Sequence, residues 1–157
     1  KPKVAILRMT QEGRTVLARV QGLQGSGFYI PQELTRMRLT LRMPVNGIDT
    51  EDPKLNEQLL GVHYFAGEPF PQTIIELKGV TEAPEPEHYW SRVELSMRGQ
   101  TYDQRLYFSM EPRGENWVLD GRIRFEPSLY GMPTPDDETG LADEMVLELL
   151  VPFIQAR

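Results

Sequence analysis

The feature of this sequence that most limits its fold is the strict alternation of apolar and polar residues that ends at position 43. Met37, Leu39, Leu41 and Met43 are separated by single polar residues, two of which are arginines. Successive side chains of a β-strand point to opposite faces of a sheet. The segment therefore predicts a strand with one apolar face and one arginine-rich face.

The same period of two recurs along the chain and predicts seven further strands. Turn-forming residues separate the alternating stretches, as expected for an antiparallel sheet with one buried face. The apolar positions include Ile75 and Leu77; Val93, Leu95 and Met97; Leu106, Phe108 and Met110; Leu119, Ile123 and Phe125; and Met145, Leu147 and Leu149. The eight predicted strands span residues 4–9, 14–21, 35–43, 73–78, 91–98, 102–110, 117–125 and 144–153.

The C-terminal stretch leaves two interpretations open. Leucine, glutamate and methionine are good helix formers, and the apolar Val146 interrupts the alternation. The residues Met145 and Leu147 nevertheless alternate with their neighbours, and Pro152 disfavours a helix. We expect a strand here.

One short helix is predicted between the third and fourth strands. Asp52 is a suitable N-cap, Pro53 suits the first helical position, and leucines follow at helical spacing up to Leu60. The helix is expected to end near Gly61. The expected turns and loops are residues 25–27, 61–71, 81–88 and 126–143.

Length and patterning together indicate a single all-β domain over residues 1–157. Eight half-apolar strands fit either a sandwich or a closed barrel. The one-sided pattern favours an eight-stranded antiparallel barrel, because closure removes exposed sheet edges. The interior of such a barrel is filled by its own side chains or is just wide enough for one small ligand.

Charge and cysteine content exclude several classes of function. The chain has 17 Lys and Arg against 23 Asp and Glu, a net charge of −6. An acidic chain repels phosphate backbones, so we expect no nucleic-acid partner. No apolar run approaches the roughly 20 residues of a membrane span. The absence of cysteine excludes disulfides, thiolate catalysis and cysteine-based metal centres.

The sequence carries no recognisable catalytic or cofactor motif. The two histidines, His63 and His88, lie about 25 positions apart beside aromatic residues, and we interpret them as loop or groove packing. The acidic runs at 136–138 and 143–144 are interpreted as solvated loop residues, because adjacent carboxylates do not face each other across a cleft. We therefore expect neither an enzyme nor a bound cofactor or metal.

The methionines allow two interpretations. Met37, Met43, Met97, Met110 and Met145 all fall on apolar strand faces. Methionine adapts to irregular contacts, which suits a ligand-lining wall and an ordinary core equally well.

Several motifs in a fixed order make the chain resemble the YceI family. No single motif is specific, but together they cover about residues 15 to 153. In chain order they are residues 45–50 (VNGIDT), the helix with Asp52 and Leu55, His63-Tyr64-Phe65, Pro69-Phe70-Pro71 before a strand ending at Lys78, the hairpin at 95–101 (LSMRGQT), and residues 123–125, 130–132 and 141–144.

This resemblance implies a lipocalin-like barrel that holds a long apolar molecule, such as a polyisoprenoid, an isoprenoid quinone or a fatty-acid-like amphiphile. It also implies a periplasmic or secreted bacterial protein. Residues 51–55 (EDPKL) stand where the family usually shows Arg-Asp-x-His-Leu, and Pro127 replaces a family arginine. A generic lipid is therefore better supported than an isoprenoid pyrophosphate.

Two functional hypotheses remain from the sequence. In the first, a non-catalytic barrel stores or transports an apolar chain, which requires a hollow interior. In the second, the barrel core is packed, and the protein is an interaction module that binds a partner through Arg36, Arg38 and Arg42 or through its acidic loops. We expect these arginines to pair across strands with Glu94, Asp103, Asp120 or Glu148 in preference to binding a partner. The sequence also leaves room for a homodimer. The predicted barrel lining is Met37, Leu39, Leu41, Met43, Ile75, Leu77, Leu95, Met97, Leu106, Phe108, Met110, Leu119, Ile123, Phe125, Met145, Leu147 and Leu149.

Overall fold

Ten antiparallel strands form one strongly curled sheet in the computed structural model, which describes residues 3–30, 32–135 and 137–154. The strands lie side by side in the order β3-β4-β6-β7-β8-β9-β10-β1-β2-β5. Their bounds are β1 Val4–Gln11, β2 Arg14–Val20, β3 Gln24–Phe28, β4 Arg38–Pro44, β5 Ile48–Asp49, β6 Gln72–Glu82, β7 His88–Met97, β8 Gln100–Arg113, β9 Asn116–Phe125 and β10 Leu141–Ile154.

The strand count of ten differs from the predicted eight because two stretches of the chain bend. After β2 the chain turns at residues 21–23 and continues as β3, and after β4 a 3-10 turn at Val45–Gly47 leads into β5. β3 pairs with β4 at one end of the sheet, whereas β5 pairs with β2 at the other end. Three residues join β4 to β5, so the two ends must lie next to each other. The sheet therefore wraps into a barrel.

Two glycines allow close backbone approach, one at this junction and one between β3 and β4. A β-carbon on Gly47 would collide with the carbonyl oxygen of Gln21. The backbone amide of Gln21 in turn donates to the Gly47 carbonyl at 2.9 Å. A β-carbon on Gly27 would collide with the carbonyl oxygen of Arg38 on β4. The prediction of a turn at residues 25–27 was wrong, because Gly27 lies within β3.

The other strand predictions agree with the structure apart from their ends. The C-terminal stretch is strand β10, and not the alternative helix. Residues 34–36, which were expected to begin or precede the third strand, form a 3-10 turn. On β1 the side chains of Ala5, Leu7 and Met9 are buried, which fixes the inward face of that strand.

The single α-helix of the described residues, α1, spans Pro53–Leu60 as the sequence predicts. The Asp52 carboxylate caps it by accepting the amide of Lys54 at 3.0 Å, and Pro53 occupies the first turn. Leu55 and Leu59 are buried in the same cluster as the inward strand residues. No helix in the described part of the chain is long and apolar enough to cross a membrane.

The helix leads into residues 61–71, which we call the lid segment. This segment lies at the end of the barrel where β7 ends and β8 begins, which we call the lid end. Its Tyr64 and Phe65 are buried in the barrel core. The connection at residues 126–140 lies at the same end, since it follows β9 and precedes β10.

Candidate functional site in the barrel interior

The structure brings all seventeen predicted lining residues into one buried apolar cluster. None of them exposes more than 6% of its surface. Their placement follows from the alternation, because every second side chain of each strand points to the same face. Whether they bind a ligand stays a prediction.

The interior is filled, which the second functional hypothesis requires, whereas the first requires a hollow interior. The enclosed cavity among the core side chains measures about 10 Å³, which is room for about one water molecule. It lies towards the lid end. Its lining includes Leu7, Met43, Phe65, Met97 and Leu147.

A dry apolar lumen would be costly, which gives a physical reason for the filling. Ligand pockets begin at about 300 Å³. Empty volume in a core costs about 24 cal/mol per Å³, so an unfilled lumen of that size would cost about 7 kcal/mol. A domain's whole stability is about 5–15 kcal/mol. The interior therefore closes unless something else fills it.

Aromatic side chains from loops fill the two ends of the barrel, and sequence patterning missed them. Tyr29 follows β3 and plugs the end opposite the lid, with its ring 5.3 Å from Trp117 and 6.4 Å from Phe153. Burial, and then the neighbouring Tyr89 and Glu87, raise the pKa of Tyr29 to about 12. Phe65 and Tyr130 fill the lid end. The available signal was the presence of aromatic residues between the predicted strands, but it carries no period.

A polar network fastens the lid segment to the connection that precedes β10. The Tyr64 hydroxyl donates to the Asp137 carboxylate and lies 2.8 Å from the Thr139 hydroxyl. The Thr139 hydroxyl in turn bonds to Asp137 at 2.6 Å. Burial, and then the hydrogen bond to Asp137, raise the pKa of Tyr64.

The interpretation of the two acidic runs as merely solvated was wrong for two residues. Asp137 belongs to the network of the lid segment. Asp143 accepts hydrogen bonds from the Ser128 amide and hydroxyl and from the Thr134 hydroxyl. Glu138 and Glu144 are exposed, as expected, and Asp136 lies outside the described residues.

Asp143 is expected to make stability depend on acid pH. Burial raises the pKa of Asp143, but the hydrogen bonds from Ser128 and Thr134 outweigh it and leave the pKa below its ordinary value. A lowered folded-state pKa stabilises the fold above about pH 4 and loses that contribution as the pH falls through the folded value. Urea denaturation from about pH 6 to pH 2.5 should show a stability gap between the native chain and Asp143→Asn that narrows below about pH 4.

The control for this measurement is Asp120→Asn, because Asp120 is an exposed aspartate on β9. Its stability should stay parallel to that of the native chain across the same range. A difference in unfolding free energy between the native chain and Asp143→Asn that stays constant with pH would contradict a lowered pKa of Asp143.

Neither histidine belongs to a cluster of metal-binding side chains in the described residues. His63 is exposed in the lid segment. The His88 ring stacks on Tyr107 at 5.3 Å, and its Nδ1 lies 2.9 Å from the Pro86 carbonyl, in agreement with groove packing. No group of three or more metal-binding side chains occurs in the described part of the chain.

The arginines of the third predicted strand do not make the expected cross-strand ion pairs. Arg36 pairs instead with Glu33, three residues away, at 2.7 Å. Arg38 donates to the neighbouring Met37 carbonyl, and Arg42 is exposed. The expected acceptors lie elsewhere on the barrel: Asp103 binds Arg92 and Glu148 binds Arg8.

Comparisons with known proteins agree on the fold. The model of the YceI-like domain family matches residues 4–153. The crystal structure of Burkholderia cenocepacia BcnA is 16% identical, with coverage of 96% of this chain and 95% of that chain and a TM-score of 0.88. The crystal structure of a Campylobacter jejuni YCEI protein is 14% identical, with coverage of 89% and 85% and a TM-score of 0.73. No curated protein sequence matches.

Proposed function

This chain belongs to the YceI-like domain family, and from that premise we propose that it binds a long apolar molecule inside its barrel without catalysing a reaction. The molecule would be a polyisoprenoid, an isoprenoid quinone or a fatty-acid-like amphiphile. Because the interior is filled, the chain of the ligand would have to displace core side chains. In this proposal the interior opens only around its ligand, and the barrel has no permanent lumen.

The observation that carries this proposal is the composition of the interior wall. All seven methionines of the chain are buried, and each exposes at most 6% of its surface. Unbranched thioether side chains change rotamer easily and fill irregular gaps. A wall rich in methionine can therefore repack around an entering chain more easily than one of branched residues.

The energy of binding favours long chains. Burying about 12 methylenes at ~0.8 kcal/mol each gives roughly 10 kcal/mol. Association and ordering cost at least ~4 kcal/mol, and displacing side chains adds to that cost. We expect short chains to bind weakly, and chains of about 16 carbons or more to bind measurably.

Thermal unfolding with palmitic acid and hexadecanol tests the proposal. A ligand at about 100 times its Kd stabilises the folded state by about 2.7 kcal/mol. For a domain of this size, the midpoint should rise by about 5–10 °C. Solvent extraction of the purified protein, followed by mass spectrometry, should in addition recover a bound apolar chain.

A triple variant with Met97, Met110 and Met145 replaced by leucine serves as the matched comparison. Leucine has nearly the volume of methionine, so the fold should survive with small losses. Its stiffer side chain should reduce the ligand-induced shift. Absence of any shift with saturated chains and polyprenols would exclude the proposal.

The filled interior favours a second candidate function, in which the core is permanently packed and the outer surface binds another protein. Arg38 and Arg42 are exposed on β4 and make no ion pair within the described residues. Charge reversal of both arginines should abolish capture of that partner and leave lipid binding unchanged. Core methyl resonances that do not respond to any lipid would support this candidate.

Family membership also supports a periplasmic location, which we include in the proposal. Fractionation of the producing bacterium, followed by detection with an antibody, tests it. Recovery of the protein in the cytoplasmic fraction alone would contradict it.

A further inference from the structure

Arg98 adopts a backbone conformation that is unusual for its residue type. It lies in the tight turn between β7 and β8 with φ of +52°, and Gly99 follows with φ of +74°. Two positive φ angles characterise the hairpin turn that normally carries asparagine and glycine. A long side chain there costs about 1–3 kcal/mol. Such a cost suggests that the arginine side chain has a use.

The guanidinium of Arg98 bridges two segments at the lid end. Its Nη1 donates to the Tyr130 carbonyl at 3.0 Å, and its Nη2 donates to the Val62 carbonyl of the lid segment at 3.1 Å. Its Nε is buried and has no hydrogen-bond partner in the described structure. No carboxylate of the described residues lies within 4.0 Å of it. A full positive charge is thus held by neutral acceptors.

The backbone beside the guanidinium leaves room for it. Gly131 has a φ of +86°, and a β-carbon at this position would lie 2.9 Å from Nη1 of Arg98. Any other residue would therefore push the guanidinium away from the Tyr130 carbonyl. Glycine at position 131 thus leaves the space that Nη1 of Arg98 occupies.

Exposed apolar side chains belong to the segments that surround this cation. Val62 is 68% exposed, Phe70 is 38% exposed and Tyr102 is 37% exposed. The Phe70 ring packs against Gly99, and the Tyr102 ring lies 5.2 Å from that of Tyr130. The surface therefore places one positive charge beside exposed apolar side chains, which complements an amphiphile with an anionic head, while Asp137 and Glu138 line the adjoining groove together with Val62.

We propose that Arg98 binds the anionic head of the amphiphile and thereby releases the lid segment. The inference rests on the proposed function. A carboxylate or phosphate forms an ion pair as well as a hydrogen bond with the guanidinium, and is therefore a stronger acceptor for it than a neutral carbonyl. The anionic head replaces the Val62 carbonyl as the acceptor for Nη2, because this hydrogen bond lies at the solvent-exposed side of the bridge. The lid segment then loses one attachment and can carry Phe65 out of the barrel end.

The affinities for palmitate and hexadecanol test this proposal, because the two molecules share a chain of 16 carbons and differ in the head. We expect the native protein at about pH 8 to bind palmitate at least about 10-fold more tightly than hexadecanol, because a charged acceptor replaces a neutral one at Arg98. In Arg98→Met the ratio should fall to near one, while the affinity for hexadecanol stays within about 3-fold. An unchanged ratio in Arg98→Met would overturn the proposal.

Two further variants keep the result interpretable. Arg98→Asn suits the left-handed turn, so it provides a folded variant without the cation should Arg98→Met fail to fold. Arg113→Met removes an exposed arginine at the end of β8, near the opposite end of the barrel, and should leave the ratio as in the native protein.

Hydrogen exchange of the backbone amides in the lid segment distinguishes release of this segment from binding of the anionic head without release. The amides of Phe65, Ala66 and Gly67 donate to carbonyls of residues 59–61. Palmitate should increase their exchange by about 10-fold relative to hexadecanol in the native protein, and should not do so in Arg98→Met. Equal exchange with both ligands would overturn the release of the lid.

The failures of this proposal and of the proposed function are distinguishable. If neither palmitate nor hexadecanol binds, the proposed function fails, and this proposal fails with it. If both bind equally well to the native protein, the barrel is a lipid binder and Arg98 is only a structural bridge.

Discussion

Replacing Phe65 by alanine is expected to lower the free energy of unfolding by about 3–5 kcal/mol. The ring is 3% exposed and lines the enclosed cavity at the lid end, together with Met43 and Met97. Its removal would enlarge that cavity in a place where the strands cannot move closer, because they are fixed by their hydrogen bonds. Urea denaturation of the variant and the native protein measures the difference.

The same variant should respond more strongly to an apolar ligand. A chain that occupies the space of the missing ring no longer has to displace it, so hexadecanol should restore part of the lost stability. Val62→Ala is the matched control, since Val62 lies in the same segment and is largely exposed. Its effect should stay within about 0.5 kcal/mol. A loss below about 1 kcal/mol for Phe65→Ala would show that the ring does not close the barrel end.

Replacing Gly47 by alanine is the second large effect, with an expected loss of about 3 kcal/mol. The added methyl group would collide with the carbonyl oxygen of Gln21, at the place where the two ends of the sheet meet. Relief of this collision requires the Gln21–Gly47 hydrogen bond to lengthen. The loss should appear as a lower urea midpoint with an unchanged slope, because the barrel remains folded.

Gly79→Ala provides the control for Gly47. Gly79 lies at the bulge between β6 and β7, and a β-carbon there would meet nothing within 4 Å. Its stability should change by less than about 0.5 kcal/mol. Equal losses for the two variants would mean that the general cost of replacing a strand glycine dominates, and that the junction is not tightly packed.

The sequence predicted the strands well wherever an apolar face had to be buried. Each of the eight predicted segments contains a strand, and the helix begins at Pro53, directly after the N-cap Asp52, as the sequence indicates. β3 was missed because its five residues, including Gly25 and Gly27, are all exposed and carry no alternation. β5 has two residues, which is too short for any period. Hydrogen bonding to neighbours that are distant in sequence forms these two strands.

The candidate site was predicted in its composition but not in its shape. Alternation shows which side chains point inward, yet it does not show whether they leave space between them. The space that remains in the interior depends on side chains contributed by loops, such as Tyr29 and Phe65, which carry no periodic signal. The role of Arg98 was also invisible, because it depends on carbonyl groups of residues 62 and 130 that only the fold brings together.

The burial of every methionine has a chemical consequence for this chain. Without cysteine, all of its sulfur lies in thioethers that the folded barrel shields from solvent. Peroxide should convert these thioethers to sulfoxides only when the barrel opens, and a polar sulfoxide would then resist being buried again. Oxidative damage would therefore hold the barrel open until the sulfoxides are reduced enzymatically. The rate at which the protein gains oxygen mass reports how often its interior is uncovered.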